Sequence, residues 1–175
     1  LDEPTKTFIQ GRYDGEIGYL DSEIERLVTD VDALPGQTWF ILVSDHGEEF
    51  WDHGNFEHNH SLYQELTRAV FWIRPPTGSW PPAIHRATSD VSVADLVPTV
   101  LDLVGISDTD WPILDGVSLL PLIDGTNAIE RTSLREILDE RALPMGHLMY
   151  GTERWGVVAA RHKYILHRWT GEQEL

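Results

Sequence analysis

The strongest constraint on the fold is a short, uninterrupted apolar run at residues 39–43. A β-prone run without polar positions is typical of a strand that is covered on both faces of a parallel sheet. Before it, apolar residues recur every three or four positions from Tyr13 to Val31, which predicts a long amphipathic helix ended by Pro35 and Gly36. A helix followed by a buried strand indicates an α/β fold, with a sheet sandwiched by helices.

Four later segments also have the pattern of regular secondary structure. A second apolar run at residues 69–73 predicts another strand of the same sheet. Residues 92–104 have the apolar spacing of a helix, in which Pro98 either introduces a kink or opens the second half. Residues 155–160 and 164–169 predict two strands joined by a short turn, which would form a C-terminal antiparallel hairpin.

The length of 175 residues and a hydrophobic content of 41% suit one domain with an apolar core. The loosest region, near residues 124–127, divides this expected domain into two portions. Residues 1–125 would form the α/β portion, and residues 126–175 a β-rich portion. The chain begins with Leu1 and not with Met, so we expect that an upstream part is missing.

Composition excludes several classes of partner and site. Acidic residues outnumber basic residues by 29 to 13, and the net charge of −16 argues against nucleic acid or an anionic membrane surface as partner. The absence of cysteine excludes disulfides and thiolate metal sites. No segment has the apolar length of a membrane helix or the pattern of a signal peptide. We therefore expect a soluble protein, whose compartment and oligomeric state the sequence leaves open.

A candidate metal site follows the first apolar run, in the loop formed by residues 44–48. Loops at the carboxyl ends of strands are where open α/β sheets bind ligands. Asp45 and His46 can bind one ion together only if the chain has left strand geometry, which Gly47 makes easy. A carboxylate and an imidazole suit Mn²⁺, Zn²⁺ or iron, and also Ca²⁺ or Mg²⁺ when other oxygens complete the shell. The alternative is a solvated turn without a ligand.

A second group of candidate residues is a pair of histidines in the loop that follows. His58 and His60 precede Ser61, which has the position of a helix N-cap, with Gln64 as its reciprocal partner. A helix is therefore expected to begin at Leu62. A sulfate or phosphate group would fit beside the exposed amides of this helix start, with His60 the preferred contact. Each histidine could also be an ordinary hydrogen-bonding residue.

Short segments spread along the chain carry a resemblance to a known family. They are residues 13–17 with Asp21, residues 44–48, residues 60–63 with Glu65 and Arg68, residues 95–99, residues 105–106, residues 115–122 and residues 163–165. Together they resemble the second half of the sulfatase family, within the alkaline-phosphatase-like superfamily of metal-dependent ester hydrolases. The resemblance implies an alkaline-phosphatase-like half-domain, the C-terminal part of a sulfatase-like domain.

The resemblance also implies roles for individual residues. Asp45 and His46 correspond to the family's second pair of metal ligands and would hold Ca²⁺ or Mn²⁺, with Mg²⁺ or Zn²⁺ as alternatives. His60 or His58 would contact the anionic group of the substrate. The family's nucleophile is a formylglycine made from Cys or Ser in a Cys/Ser-x-Pro-x-Arg motif, which this sequence lacks. We expect the nucleophile and the first acidic pair in an N-terminal half that this chain does not contain.

Three functions are compatible with these observations. The first is hydrolysis of a small-molecule or glycan sulfate ester by a longer protein, of which this chain would be an inactive fragment. The second is hydrolysis of a phosphodiester or phosphonate, or phosphoglycerol transfer, because His46 stands where many sulfatases have asparagine and is shared with such relatives. The third is a non-catalytic binding module with the same architecture.

Overall fold

A computed structural model describes residues 1–78, 86–124, 128–146 and 148–175. The expected boundary after residue 125 lies outside these described residues. The described elements are α1 (Glu3–Asp32), β1 (Phe40–Val43), β2 (Glu49–Phe50), β3 (Phe56–Glu57), α2 (Gln64–Thr67), β4 (Phe71–Arg74), α3 (Leu96–Leu103), α4 (Leu120–Asp124), α5 (Ala128–Glu140), β5 (Leu143–Met145), β6 (Arg154–Ala159), β7 (His162–His167) and β8 (Gln173–Glu174). The fold is therefore mixed α/β, with antiparallel sheets of two, two and four strands in the described parts.

Helix α1 confirms the predicted long helix and extends it toward the start of the chain. Asp2 caps it, because its carboxylate accepts a hydrogen bond from the Thr5 N–H at 3.0 Å. The predicted apolar face exists but is not covered, since α1 has no buried residue. Ile17, Leu20 and Leu27 are 52%, 56% and 55% exposed. None of the helices in the described parts is long and apolar enough to cross a membrane.

The two apolar runs pair as β1 and β4, but the expectation of a parallel sheet is wrong. The strands are antiparallel, with Phe40 opposite Arg74. A continuous apolar run indicates apolar surroundings without fixing the direction of the neighbouring strand, which is why the sequence misled here. Cover on both faces is also absent among the described residues, because Leu42 and Trp72 are 37% and 42% exposed.

The segment after the histidine loop differs from its prediction at the helix start. Helix α2 begins at Gln64 and not at Leu62, and Tyr63 precedes its first turn. The Ser61 hydroxyl accepts only a long hydrogen bond of 3.5 Å from the Tyr63 N–H, and the expected reciprocal cap does not form. Leu62 is instead buried, and its carbonyl accepts a hydrogen bond from Lys163 Nζ at 2.9 Å. Burial of this side chain and the contact with β7 outweigh the local capping preference.

The predicted helix at residues 92–104 forms as a 3-10 turn (Val93–Asp95) followed by α3. Pro98 lies in the first turn of α3, where a backbone N–H has no helical partner, so it opens the second half of the predicted segment. Gly105 follows with a φ of +74°, a left-handed conformation that suits glycine at a helix end.

The main apolar core lies between helix α5 and the segment around Leu119 that follows α3. Its buried members are Leu119, Leu134 and Leu138, and Phe71, Val91, Val117 and Leu122 pack against them. Beside this core, the fully buried Asp95 accepts hydrogen bonds from Arg141 Nη1 and Nη2 at 2.7 and 2.6 Å. This ion pair fixes the start of α3 against the end of α5.

The predicted C-terminal hairpin is confirmed and is the centre of a larger sheet. Strands β6 and β7 pair antiparallel from Arg154 opposite His167 to Ala159 opposite His162. The turn residues Ala160 and Arg161 have φ values of +48° and +66°, as in a two-residue hairpin turn. Strand β5 adds to one edge and β8 to the other.

Candidate metal-binding pair and histidine loop

The loop after β1 leaves strand geometry at Ser44, as the sequence predicted, and Gly47 fixes its path. The Gly47 N–H donates to the carbonyl oxygen of Leu66 at 2.8 Å, so the loop lies against helix α2. A Cβ atom on Gly47 would stand 1.9 Å from the carbonyl oxygen of Glu65, which leaves no space for any other residue. The chain can pass this point only because position 47 is glycine.

This path brings Asp45 and His46 together. Asp45 Oδ1 accepts a hydrogen bond from the His46 N–H at 3.0 Å and lies 3.7 Å from His46 Nε2. His46 Nδ1 is 2.7 Å from the carbonyl oxygen of Gly47. A carbonyl can only accept, so Nδ1 carries the proton in this contact, and Nε2, the nitrogen 3.7 Å from Asp45 Oδ1, is the one left to accept or to bind a ligand.

The donor atoms of this pair suit a shared divalent cation. Asp45 Oδ1 and His46 Nε2 are 3.7 Å apart, a separation at which both atoms could contact one divalent cation at ligand distances of about 2.4 Å. The side chain of Asp45 is 89% exposed, so its face of the pair is open. Within the described ranges no group of three or more carboxylates and imidazoles could hold a metal ion. The pair would supply at most two ligands, and a complete site would need ligands from elsewhere.

His58 lies against this pair. Its ring stacks on that of His46 with 4.1 Å between the centroids and 26° between the planes. His58 Nδ1 is 3.2 Å from Glu48 Oε1, which fixes the orientation of the ring. Of the two histidines singled out from the sequence, His58 is the one that the structure places beside Asp45 and His46.

His60 is held in a different environment, by a carboxylate that sequence reasoning missed. Its Nε2 is 2.7 Å from Oε2 of Glu49, which is fully buried. Glu49 Oε1 also accepts hydrogen bonds from the N–H groups of His53 and Asn55, at 3.0 and 2.8 Å. Burial alone would raise the pKa of Glu49, but the contacts with His60, Asn55 and His53 outweigh it and lower this pKa.

These contacts make Glu49 the residue that shapes the loop from β2 to α2. No local signal in the sequence distinguished Glu49 from the neighbouring Glu48, because glutamate is usually exposed. The other histidine of the loop, His53, pairs with Glu65 at 2.5 Å and stacks on Tyr63 at 3.7 Å. His53 and His60 are thus engaged in contacts within the loop.

A family model described as Sulfatase matches residues 6–106, which is more than half of the chain. The chain belongs to the sulfatase family. This family uses a divalent metal and a formylglycine. The matched segment contains the candidate metal pair, the histidine loop and the two strands β1 and β4.

Two curated sulfatases illustrate the extent of the similarity. The choline-sulfatase of Rhizobium meliloti (strain 1021) is 32% identical over 124 residues, which are 69% of this chain and 22% of that protein. The arylsulfatase of Clostridium perfringens (strain 13 / Type A) is 24% identical over 171 residues, which are 93% of this chain and 32% of that protein. The chain therefore spans a third or less of the length of these relatives.

Solved structures agree with the family assignment. The structure of BT4656 in complex with its substrate, D-glucosamine-2-N,6-O-disulfate, matches with a TM-score of 0.57 and 26% identity. The match covers 92% of this sulfatase chain and 31% of the BT4656 chain. A putative sulfatase from Bacteroides thetaiotaomicron also has a TM-score of 0.57, at 24% identity, and supports the fold alone.

Proposed function

We propose that this chain is the C-terminal part of a sulfuric ester hydrolase, in which Asp45 and His46 are two ligands of a divalent cation. The observation that carries the proposal is the contact of His46 Nδ1 with the Gly47 carbonyl at 2.7 Å, which leaves Nε2, 3.7 Å from Asp45 Oδ1, as the nitrogen that could bind a cation. A bound cation would neutralise the charged oxygens of the ester. Ca²⁺ or Mn²⁺ is the preferred ion: Mn²⁺ suits a carboxylate with an imidazole, and Ca²⁺ suits the pair if oxygen ligands from other polypeptide complete the shell.

His58 is the proposed contact of the chain with the sulfate group. Its ring stacks on His46, so a group held by the cation would lie close to it. Its Nδ1 is directed to Glu48, which leaves Nε2 to donate to an oxygen of the ester when the ring is protonated. His60 is the weaker candidate, since its Nε2 already contacts Glu49.

The remainder of the site would come from polypeptide outside this chain. The chain and that polypeptide together are the parent protein. The sequence has no cysteine and no Ser-x-Pro-x-Arg motif, so a formylglycine nucleophile would belong to that other part. The uncovered apolar face of α1, with Leu20 and Leu27 both more than half exposed, supports additional cover in the parent protein. The same polypeptide would complete a sheet sandwiched by helices. The isolated chain is then inactive.

The substrate class is a small-molecule or glycan sulfate ester. The named relatives are a choline-sulfatase and an arylsulfatase, and the BT4656 structure contains a sulfated glucosamine, so related proteins are associated with different alcohols. Neither nucleic acid nor an anionic membrane surface is part of the proposal, because a net charge of −16 would repel both.

The test is an assay of the parent protein on an aryl sulfate, with and without a chelator. We expect the chelator to abolish hydrolysis and the double substitution Asp45→Asn with His46→Ala to reduce kcat/KM by at least about 100-fold. Asp30→Asn and His162→Ala are matched controls at exposed positions and should have no effect. Hydrolysis that survives the double substitution would refute the proposed metal site.

A second candidate function is hydrolysis of a phosphodiester or phosphonate, or phosphoglycerol transfer, and His46 is the observation that favours it. The parent protein would then turn over bis-aryl phosphate or aryl phosphonate esters faster than the aryl sulfate in a parallel assay. A non-catalytic binding module is the third possibility. It would be favoured if no ester were hydrolysed and the parent protein bound no divalent cation by calorimetry.

A further inference from the structure

A cleft lies beside the candidate site, between helix α1 and the β2–β3 hairpin. It has a volume of about 380 Å³, and His58, whose ring stacks on that of His46, forms part of its wall. Tyr13 from α1 and Phe50 and Phe56 from the hairpin also line it. A group attached to an ester bound at His58 could therefore enter this cleft.

The aromatic walls are held in place by contacts with one another. Tyr13 meets Phe50 edge-on, with centroids 4.9 Å apart, and Phe50 meets Phe56 in the same way at 5.8 Å. Trp51 stacks on Phe56 at 5.0 Å with 13° between the planes. Tyr13 and Phe56 remain 39% and 36% exposed at the cleft. These rings thus offer aromatic surface without having to rearrange.

The charge of the cleft selects the kind of group that would enter. Its lining contains three carboxylates, those of Glu16, Glu48 and Glu57, against the single guanidinium of Arg12. Glu48 Oε1 lies 3.2 Å from His58 Nδ1. Even with Glu48 paired in this way, the carboxylates of Glu16 and Glu57 outnumber the guanidinium of Arg12, which makes the cleft attractive to a cation and unfavourable for a second anion.

The same aromatic cluster already attracts an ammonium group from the chain itself. Lys6 Nζ lies 5.4 Å from the centroid of the Trp51 ring, within the range of a cation–π interaction. Lys6 also pairs with Glu3 at 2.9 Å, so its position is supported from both sides. An aromatic cluster bordered by carboxylates is a common means of binding ammonium ligands.

We propose that the cleft between α1 and the β2–β3 hairpin binds an organic ammonium group carried by the alcohol part of the ester. The proposal deepens the proposed function and rests on it for the position of the ester. The sulfate would lie at His58 and the cation, and the ammonium group would lie against the rings of Tyr13 and Phe56. The chain thus contributes selectivity for the leaving group in addition to metal ligands.

The first experiment measures binding without any ester chemistry. Choline and its neutral isostere 3,3-dimethylbutan-1-ol are titrated by calorimetry into the parent protein in the presence of a chelator. We expect choline to bind about tenfold more tightly, because the two alcohols have the same shape and differ only in charge. Equal affinities, or no binding of choline at millimolar concentration, would overturn the proposal.

Substitutions in the wall assign the preference to this cleft. Phe56→Leu keeps an apolar side chain but removes the ring, and Glu57→Gln removes one negative charge, so each should reduce the preference for choline several-fold. Trp169→Leu and Glu140→Gln make the same chemical changes at exposed positions outside the cleft and should leave it unchanged. If both wall variants retain the wild-type preference, the cleft is not the binding site.

The second experiment separates this proposal from the proposed function. The parent protein is assayed on choline sulfate and on 3,3-dimethylbutyl sulfate. We expect kcat/KM to be about tenfold higher for choline sulfate. Hydrolysis of both esters with equal kcat/KM would overturn the cleft proposal alone. Hydrolysis of neither ester nor of an aryl sulfate, with the choline preference retained in calorimetry, would overturn the proposed function alone.

Discussion

Replacement of Gly47 by alanine tests the geometry of the candidate metal pair most directly. The added Cβ would stand 1.9 Å from the Glu65 carbonyl oxygen, and Cβ atoms essentially never come closer to such an atom than 3.0 Å. The loop and helix α2 must therefore separate by about 1.1 Å, and both are backbone, which cannot rotate away. The displacement also strains the hydrogen bond from the Gly47 N–H to Leu66, now 2.8 Å long.

This displacement should lower both the stability and the activity of the protein. Overpacking of this kind destabilises a protein by about 1–3 kcal/mol. A misplacement of about 1 Å in catalytic groups reduces activity by on the order of 100-fold, because ligands and reacting atoms no longer coincide. We expect Gly47→Ala to lower the free energy of unfolding by about 2 kcal/mol and kcat/KM by about 100-fold.

The matched control is Gly18→Ala, in helix α1. An added Cβ there has no atom within 4 Å, and alanine in a helix is more favourable than glycine by roughly 0.5–1 kcal/mol. Urea unfolding and hydrolysis of an aryl sulfate by the parent protein are measured for both variants. If Gly47→Ala retained the stability and activity of the Gly18→Ala variant, the described path of the loop at residues 44–48 would be wrong.

Three further predictions concern Asp95, His58 and Tyr63. Asp95→Ala should lower the free energy of unfolding by about 3–5 kcal/mol in urea unfolding, because it leaves Arg141 partly buried without its partner. Burial alone would raise the pKa of Asp95, but Arg141 and the N–H groups of Ser92 and Val117 outweigh it and lower this pKa. The wild type should therefore lose stability as pH falls below about 3.9 through this lowered pKa, and Asp95→Asn should lose less over the same interval. His58→Ala should raise KM but change the cation affinity measured by calorimetry by no more than a few-fold. A fall in cation affinity as large as the rise in KM would contradict a substrate-contact role. Tyr63→Phe should cost about 1 kcal/mol in urea unfolding, since it removes the hydrogen bond of 2.7 Å to Glu174, and an unchanged midpoint would contradict that bond.

Elements with strong local signals could be predicted from the sequence. Helix α1 was predicted because its apolar spacing persists over several turns, and the β6–β7 hairpin because two β-prone runs stand on either side of a short turn. The loop of residues 44–48 was predicted because Gly47 follows a polar pair at the end of an apolar strand. Each of these signals involves residues close together in the chain, where spacing and propensity are informative.

Features that depend on distant contacts were not predicted. The antiparallel pairing of β1 with β4 is a relation between segments some 30 residues apart, and the apolar runs are the same for either direction. The different environments of His58 and His60 depend on Glu48 and Glu49, which lie about ten residues earlier. The burial of Glu49 is a tertiary effect that the residue type does not indicate, because glutamate is usually exposed.

The exposed face of α1 leads to a prediction that separates the isolated chain from the parent protein. Leu20 is 56% exposed in this chain, so Leu20→Ala removes few contacts here and should change the free energy of unfolding by less than about 0.5 kcal/mol. If other polypeptide covers α1 in the parent protein, the same substitution leaves a cavity and should cost about 2–5 kcal/mol there.

Leu138 supplies the control for this comparison, because it is 2% exposed within the core of the chain itself. Leu138→Ala should cost about 2–5 kcal/mol in both proteins, measured by urea unfolding. If Leu20→Ala costs more stability in the parent protein than in the isolated chain, while Leu138→Ala costs the same in both, the apolar side of α1 belongs to the interior of a larger domain. An equally small effect of Leu20→Ala in both proteins would mean that α1 remains at the surface, and the proposed cover by further polypeptide would then be wrong.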